Sequence, residues 1–208
     1  MNSRSRGDDC QDTAEFCSRV AHQLRTPLAL LRMRIDNAPP GTPPEFLAEL
    51  REEVAKLSRF VECSLLVVKA RQGMLRPVEV SVRLGGLLRE VVESHRPLAE
   101  ARGLDWTMDV SCDPEIRIDP DLLRQALHAL LDNAVRYAGS RLRVTCRGVT
   151  SPVVEIDNDC DPDTVAPGGL GLGLPLVNGI CDACGWHIES HTTGRDFHAL
   201  MRFSRMIS

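Results

Sequence analysis

"VAHQLRTPLALLRMRID", residues 20–36, decides how the first third of the chain folds. Around it, apolar residues recur at Phe16, Val20, Leu24, Leu28, Leu31 and Ile35, in steps of three and four that lay one stripe along a helix. His22 stands in this helix five residues before Pro27. At about 100° per residue, position 22 lies about 200° from positions 20 and 24, so His22 points away from the stripe, and Thr26 shares its outer face. Pro27 has no N–H and leaves the Gln23 carbonyl without its intrahelical partner, at a cost of roughly 3 kcal/mol. The helix is expected to kink just after the histidine and to open space around it.

Working outward, "NAPPGTPP" (37–44) is a breaker cluster and reads as a loop. A second stripe follows at Leu47, Leu50, Val54, Leu57, Val61, Leu65 and Val68, close to a heptad seam. Two amphipathic helices joined by a short loop make an antiparallel hairpin, and a lone hairpin cannot bury both stripes against itself. The economical solution is a four-helix bundle built from two chains, which predicts a homodimer. "RQGMLRP" (71–77) then reads as a linker.

Beyond it the periodicity changes. "VRLGGLLREVVESHRPLAEARG" reads as a helix, "LDWTMDV" as an alternating strand, and "DPDLLRQALHALLDNAVRYAG" as a long helix opened by capping residues and Pro120. "RLRVTCRGV" and "PVVEIDND" read as neighbouring antiparallel strands, "LPLVNGICDACG" as a helix, and "WHIESHTT" and "FHALMRFSRM" as closing strands. The fold class is α+β: a helical hairpin forming a dimeric four-helix bundle, then an α/β sandwich domain. The expected divisions are a polar tail (1–11), the hairpin (12–71), a linker (72–78) and the sandwich domain (79–208).

The 208 residues carry a net charge of −4, which gives no reason to expect nucleic acid or an anionic membrane as partner. No apolar run approaches the ~18 residues that cross a bilayer, and the polar start lacks the apolar core of a secretory signal, so a cytoplasmic chain is expected. Eight cysteines without a regular framework spacing read as free thiols packed as small hydrophobes. Only "CDAC" (Cys181–Cys184) has motif spacing. Helix packing explains it best; the alternatives are a redox pair, or a metal site completed by His187 and His191.

Taken together, the motifs resemble those of the two-component sensor histidine kinases over nearly the whole chain. "HQLRTPL" is similar to the family's phospho-acceptor box, "ALLDNAVRYA" (129–138) to its asparagine box, "EIDND" (155–159) to its first aspartate-glycine box, and "GGLGLGLPLV" (168–177) to its second glycine box. The resemblance implies that His22 is phosphorylated from ATP, with Gln23 fixing its tautomer and Thr26 orienting a water for a phosphatase mode. It implies that Asn133 gives an oxygen to Mg²⁺, a hard cation, that Arg136 meets phosphate charge and that Tyr137 packs on adenine. Asp157 would accept from the adenine amino group, and Gly169, Gly171 and Gly173 would let backbone N–H groups approach the phosphates. The implied partner is the receiver domain of a response regulator.

Two departures stand out. The family's D-x-G-x-G is "DNDCD" here, with Asp159 and Asp161 in place of both glycines, adding negative charge where a triphosphate is expected. The lid is cut to "PDTVAP" (162–167), without Lys, Arg or an aromatic residue. Weak ATP binding is therefore expected. The runner-up reading is a histidine phosphotransferase, a relay whose degenerate nucleotide domain is only a docking scaffold. A related ATPase would leave the histidine box unexplained. Only about a dozen polar residues precede the hairpin, so the signal is expected through a partner protein, or the chain is a segment of a larger sensor.

Overall fold

The computed structural model describes residues 28–160 and 173–203. His22, Gln23, Thr26 and Pro27 lie outside the described residues, as do Gly169 and Gly171 and the expected kink. The chain divides into two compact units, residues 1–74 and 75–208.

In the first unit, helix α1 (28–36) and helix α2 (Pro44–Arg71) flank the loop at 37–43. Pro44 sits at the helix start, where its missing N–H costs nothing. Leu28 and Val61 are buried together, with Val54 and Leu65 packed against them, so the two stripes do meet. Asp36 and Arg51 pair across the hairpin at 2.9 Å on an exposed face, where such a pair contributes little. Leu30, Leu31, Met33, Phe46 and Leu57 remain about half exposed.

The second unit opens with β1 (Val80–Arg83), α3 (Leu84–Ala101), β2 (Asp105–Val110), β3 (Glu115–Ile118) and α4 (Pro120–Tyr137). It continues with β4 (Ala138–Arg147), β5 (Val153–Cys160), α5 (Gly173–Cys184), β6 (His187–Thr193) and β7 (Asp196–Arg202). Five strands form one sheet in the order β2-β4-β5-β7-β6, with β2–β4 parallel and the other pairs antiparallel. The two strands read as neighbours, β4 and β5, do pair antiparallel. β1 and β3 form a separate antiparallel ribbon that periodicity did not predict. Each is four residues long and finds its partner more than thirty residues away.

Helix ends in this unit are tied by side-chain carboxylates, one local and one distant in sequence. Asp119 caps α4 by accepting from the N–H groups of Asp121 and Leu122 at 3.0 Å, while its second oxygen accepts from Val78 N–H at 2.8 Å. Asp113, in the β2–β3 loop, accepts from the Gly85 N–H at 2.8 Å near the start of α3. The core is aliphatic: Leu88, Leu123, Leu127, Leu131, Leu142, Ile156 and Ile180 are all under 2 % exposed. Strand alternation gives the five-stranded sheet one face against the helices and one polar face.

Candidate functional site

The asparagine box lies on the last two turns of α4. Asn133 and Tyr137 are half-buried and Arg136 is exposed, on a stripe that includes Ala129 one turn earlier. Gly173 opens α5 beside this stripe, for a Cβ built there would lie 3.5 Å from the Ala129 carbonyl oxygen. The N-terminus of α5 and the Asn133 face of α4 are thus brought together within one unit. Arg102 secures the end of α4: its guanidinium donates to the carbonyls of Val135 and, at 3.1 Å, Ala138. Those C-terminal carbonyls would otherwise lack partners.

On the α3-facing side of α4, His95 is buried at 6 % exposure. Its Nδ1 lies 2.9 Å from the Val91 carbonyl and its Nε2 3.3 Å from Asp132 Oδ1. With an acceptor at each nitrogen, the ring suits the doubly protonated form. Burial pulls its pKa down, but the Asp132 hydrogen bond and the Val91 carbonyl outweigh it and leave it raised. His128, its ring centroid 5.0 Å away, is lowered by burial and by the His95 charge. Asp132 immediately precedes Asn133, so the His95–Asp132 contact ties α3 to the asparagine turn.

The β5 register separates the residues of the first aspartate box. Val154, Ile156 and Asn158 are buried on the helix side, while Glu155, Asp157 and Asp159 are less buried and lie on the opposite face. Asp157, the sequence candidate for adenine, meets His198 of β7 there, and His191 stacks near His198 with centroids 5.1 Å apart. Asp159, which the sequence reading placed as added negative charge, has its carboxylate engaged by β4. It accepts from Ser140 N–H at 3.0 Å, Arg141 N–H at 2.8 Å and the Ser140 hydroxyl at 2.7 Å, where β4 is irregular between Ala138 and Leu142. Burial alone would raise its pKa, but these donors bring it down to about 2. Asp161 lies outside the described residues.

The residue that sequence reasoning passed over is Asn158, 2 % exposed. Among the described residues of this unit, its Oδ1 and the indole Nε1 of Trp106 are buried polar atoms without a hydrogen-bond partner. Both lie on one cross-strand row, Trp106–Leu142–Asn158–Phe197, on the helix side of the sheet. The signal was present: Val154 and Ile156 are apolar and inward, and a period of two places position 158 with them.

Cys181 and Cys184 lie on α5, and burial pushes both thiols up to about 12, with nearby acidic groups adding to it. Such a shift disfavours the thiolate that a redox pair requires. Among the described residues no group of three or more His, Cys, Asp or Glu is placed to hold a metal ion. No described helix is long and apolar enough to cross a membrane.

No family model matches the chain. Among known proteins, the probable sensor protein PcoS of Escherichia coli is 32% identical over 216 residues, covering 88% of this chain and 45% of that protein. The signal transduction histidine-protein kinase BaeS of Escherichia coli (strain K12) is 30% identical over 194 residues, covering 81% and 42%. The chain spans less than half the length of these relatives. Solved structures share the fold. The Acinetobacter baumannii histidine kinase AdeS superposes with a TM-score of 0.66 at 24% identity, covering 88% of this chain and 97% of that one. Full-length ShkA, solved with AMPPNP, gives 0.74 at 24% identity, covering 90% and 45%. With four boxes in family order and kinship over most of its length, the chain belongs to the two-component sensor histidine kinases.

Proposed function

We propose that the chain is a homodimeric, cytoplasmic histidine kinase core that phosphorylates His22 from ATP–Mg²⁺ and passes the phosphoryl group to an aspartate of a response regulator's receiver domain. The observation carrying this reading is the intact H-Q-L-R-T-P-L box in a chain whose relatives are sensor histidine kinases. In the transfer, a neutral ring nitrogen of His22 bonds to the γ-phosphorus as the bond to the β–γ bridging oxygen breaks, releasing ADP. Gln23 accepts a hydrogen bond from the other ring N–H, which fixes the tautomer without acting as a base. Thr26 orients a water for the reverse task, dephosphorylating the regulator.

The second unit fits a nucleotide. A buried acceptor stands unpartnered on β5, Asp159 is already held by β4, and α5 begins beside the Asn133 stripe. Asn133 is the Mg²⁺ ligand, Arg136 meets phosphate, Tyr137 packs on the base, and the backbone at Gly169, Gly171 and Gly173 approaches the phosphates. Mg²⁺, when bound, neutralises charge on the transferred phosphate. The exposed Leu30, Leu31, Met33, Phe46 and Leu57 of the hairpin support a second copy as its partner, with residues 12–71 as the dimer module, 72–78 as linker and 79–208 as the nucleotide domain.

A relay module is the second reading, favoured by the missing glycines at 159 and 161 and by the short 162–167 segment. Labelling with γ-labelled ATP and Mg²⁺ separates the two. Acid-labile, base-stable label on the wild type, lost in His22→Ala, supports the kinase. No label at millimolar ATP, with labelling of His22 from a phosphorylated regulator, refutes it in favour of the relay.

A further inference from the structure

We propose that Asn158, rather than Asp157, selects the nucleotide base, its side-chain oxygen being fixed to accept from an exocyclic amine. This rests on the ATP reading above and names the specificity residue within it. Asn158 is 2 % exposed on the helix side of β5, between Leu142 of β4 and Phe197 of β7. A carboxamide has two donors and one acceptor oxygen, and here the two ends are committed differently. Nδ2 donates to the Asp159 carbonyl at 3.0 Å and approaches Cys160 Sγ at 3.7 Å. Flipping the amide would set its oxygen against the Asp159 carbonyl oxygen, acceptor against acceptor. The orientation is therefore locked, and the end left without a partner is Oδ1.

A buried acceptor without a donor is costly, and native folds seldom leave one. No donor among the described residues reaches Oδ1, so a ligand donor is its natural partner. Adenine presents an amine at its 6-position; guanine presents a carbonyl oxygen there, which would face Oδ1 as a second acceptor. Asp157 cannot share this task, because its carboxylate sits on the other face of the strand with His198. Base discrimination by Asn158 thus uses a neutral amide and needs no carboxylate.

The test is binding of ADP–Mg²⁺ and GDP–Mg²⁺ to the full chain, followed by thermal shift and calorimetry. Wild type, Asn158→Leu and Asp157→Asn are compared, with purine riboside diphosphate as the analogue lacking the 6-amino group. The expected result is selective ADP binding, weakened at least about tenfold by Asn158→Leu and by the analogue, and left within about twofold by Asp157→Asn. Asn158→Leu should also raise the nucleotide-free Tm, because it removes an unpaired buried acceptor. ADP binding unchanged in Asn158→Leu, a lower nucleotide-free Tm in that variant, equal affinity for the analogue, or loss of ADP binding in Asp157→Asn would each overturn this assignment while leaving the kinase reading intact. A wild type that binds neither nucleotide at millimolar concentration overturns both. The analogue comparison uses wild type alone, so it decides the matter even if Asn158→Leu does not fold.

Discussion

Replacing Asp159 by glycine restores the residue that the family's first glycine box carries, and a reading from motifs alone expects better nucleotide binding. The structure predicts a less stable protein with unchanged ADP affinity. The Asp159 carboxylate accepts from two β4 backbone N–H groups and the Ser140 hydroxyl, and its pKa falls from 3.8 to about 2. Taken at face value, that shift corresponds to about 2.5 kcal/mol of native stability at neutral pH. The group is only partly buried, so solvent screening reduces the figure to roughly 1 kcal/mol. Glycine within a strand adds about 0.5–1 kcal/mol of backbone entropy cost. For a unit of roughly 130 residues, a total near 2 kcal/mol lowers Tm by about 7 °C. Because the folded pKa is depressed, the contribution is full above the unfolded value of 3.8 and is lost as pH falls through about 2. At about pH 3 roughly half of the charge contribution is gone while the backbone part persists, so the stability gap between wild type and Asp159→Gly should have shrunk by about a quarter. Asp159→Asn, which keeps an oxygen for the two N–H groups, should fall between them. Thermal and urea unfolding at neutral and acid pH measure all three. An Asp159→Gly variant as stable as wild type, or one that binds ADP more tightly, refutes the reasoning.

His95 acts in the opposite pH direction: its pKa is raised, so its stabilising charge is present below about 6.5 and is lost as pH rises through the folded value. His95→Gln should flatten the urea midpoint between about pH 6 and 8, and a slope equal to wild type would show that the imidazolium contributes nothing. Gly148 holds φ +84°, and a Cβ there would lie 2.5 Å from the Ser151 carbonyl oxygen; Gly148→Ala should cost about 2 kcal/mol by chemical denaturation. Leu131→Ala, at a site 0% exposed, should cost about 2–5 kcal/mol in the same assay. Cys146, Cys181 and Cys184, each pushed up to about 12 chiefly by burial, should resist iodoacetamide in the native protein at about pH 8 and react in urea.

What was legible in the sequence was whatever a local period or a local cap encodes. The stripes of α2 and α4, the Pro120 helix start with Asp119 before it, and the alternation of β2 all follow from spacings of two, three or four residues. The ribbon of β1 and β3 was not legible, because four-residue strands carry almost no period and their pairing is a long-range event. Arg102 at the end of α4 and Asp113 at the start of α3 were hidden for the same reason, since each acts on residues about thirty positions away. The first aspartate box is a different case. Matching letters to D-x-G-x-G favoured Asp157, whereas the strand's own alternation already placed Asn158 inward. Motif spelling points to Asp157 and strand register to Asn158, a disagreement that the nucleotide-binding comparison decides.

That disagreement also changes what the broken glycine box means. A carboxylate at 159 beside a triphosphate would repel it, and the weak-binding expectation rested partly on that repulsion. On the strand's outer face, with β4 donors satisfying it, Asp159 instead pins the irregular turn from α4 into β4. The Asn133 turn of α4 ends in that same crossing, where Arg102 caps it on one side and the His95–Asp132 pair holds it on another. The substitution therefore trades backbone freedom in the box for hydrogen bonds that hold the crossing next to Asn133. Loss of a family glycine is then no measure of lost function. The burden of deciding affinity passes to residues facing the helices, and among those described on β5 the one with an uncommitted polar atom is Asn158.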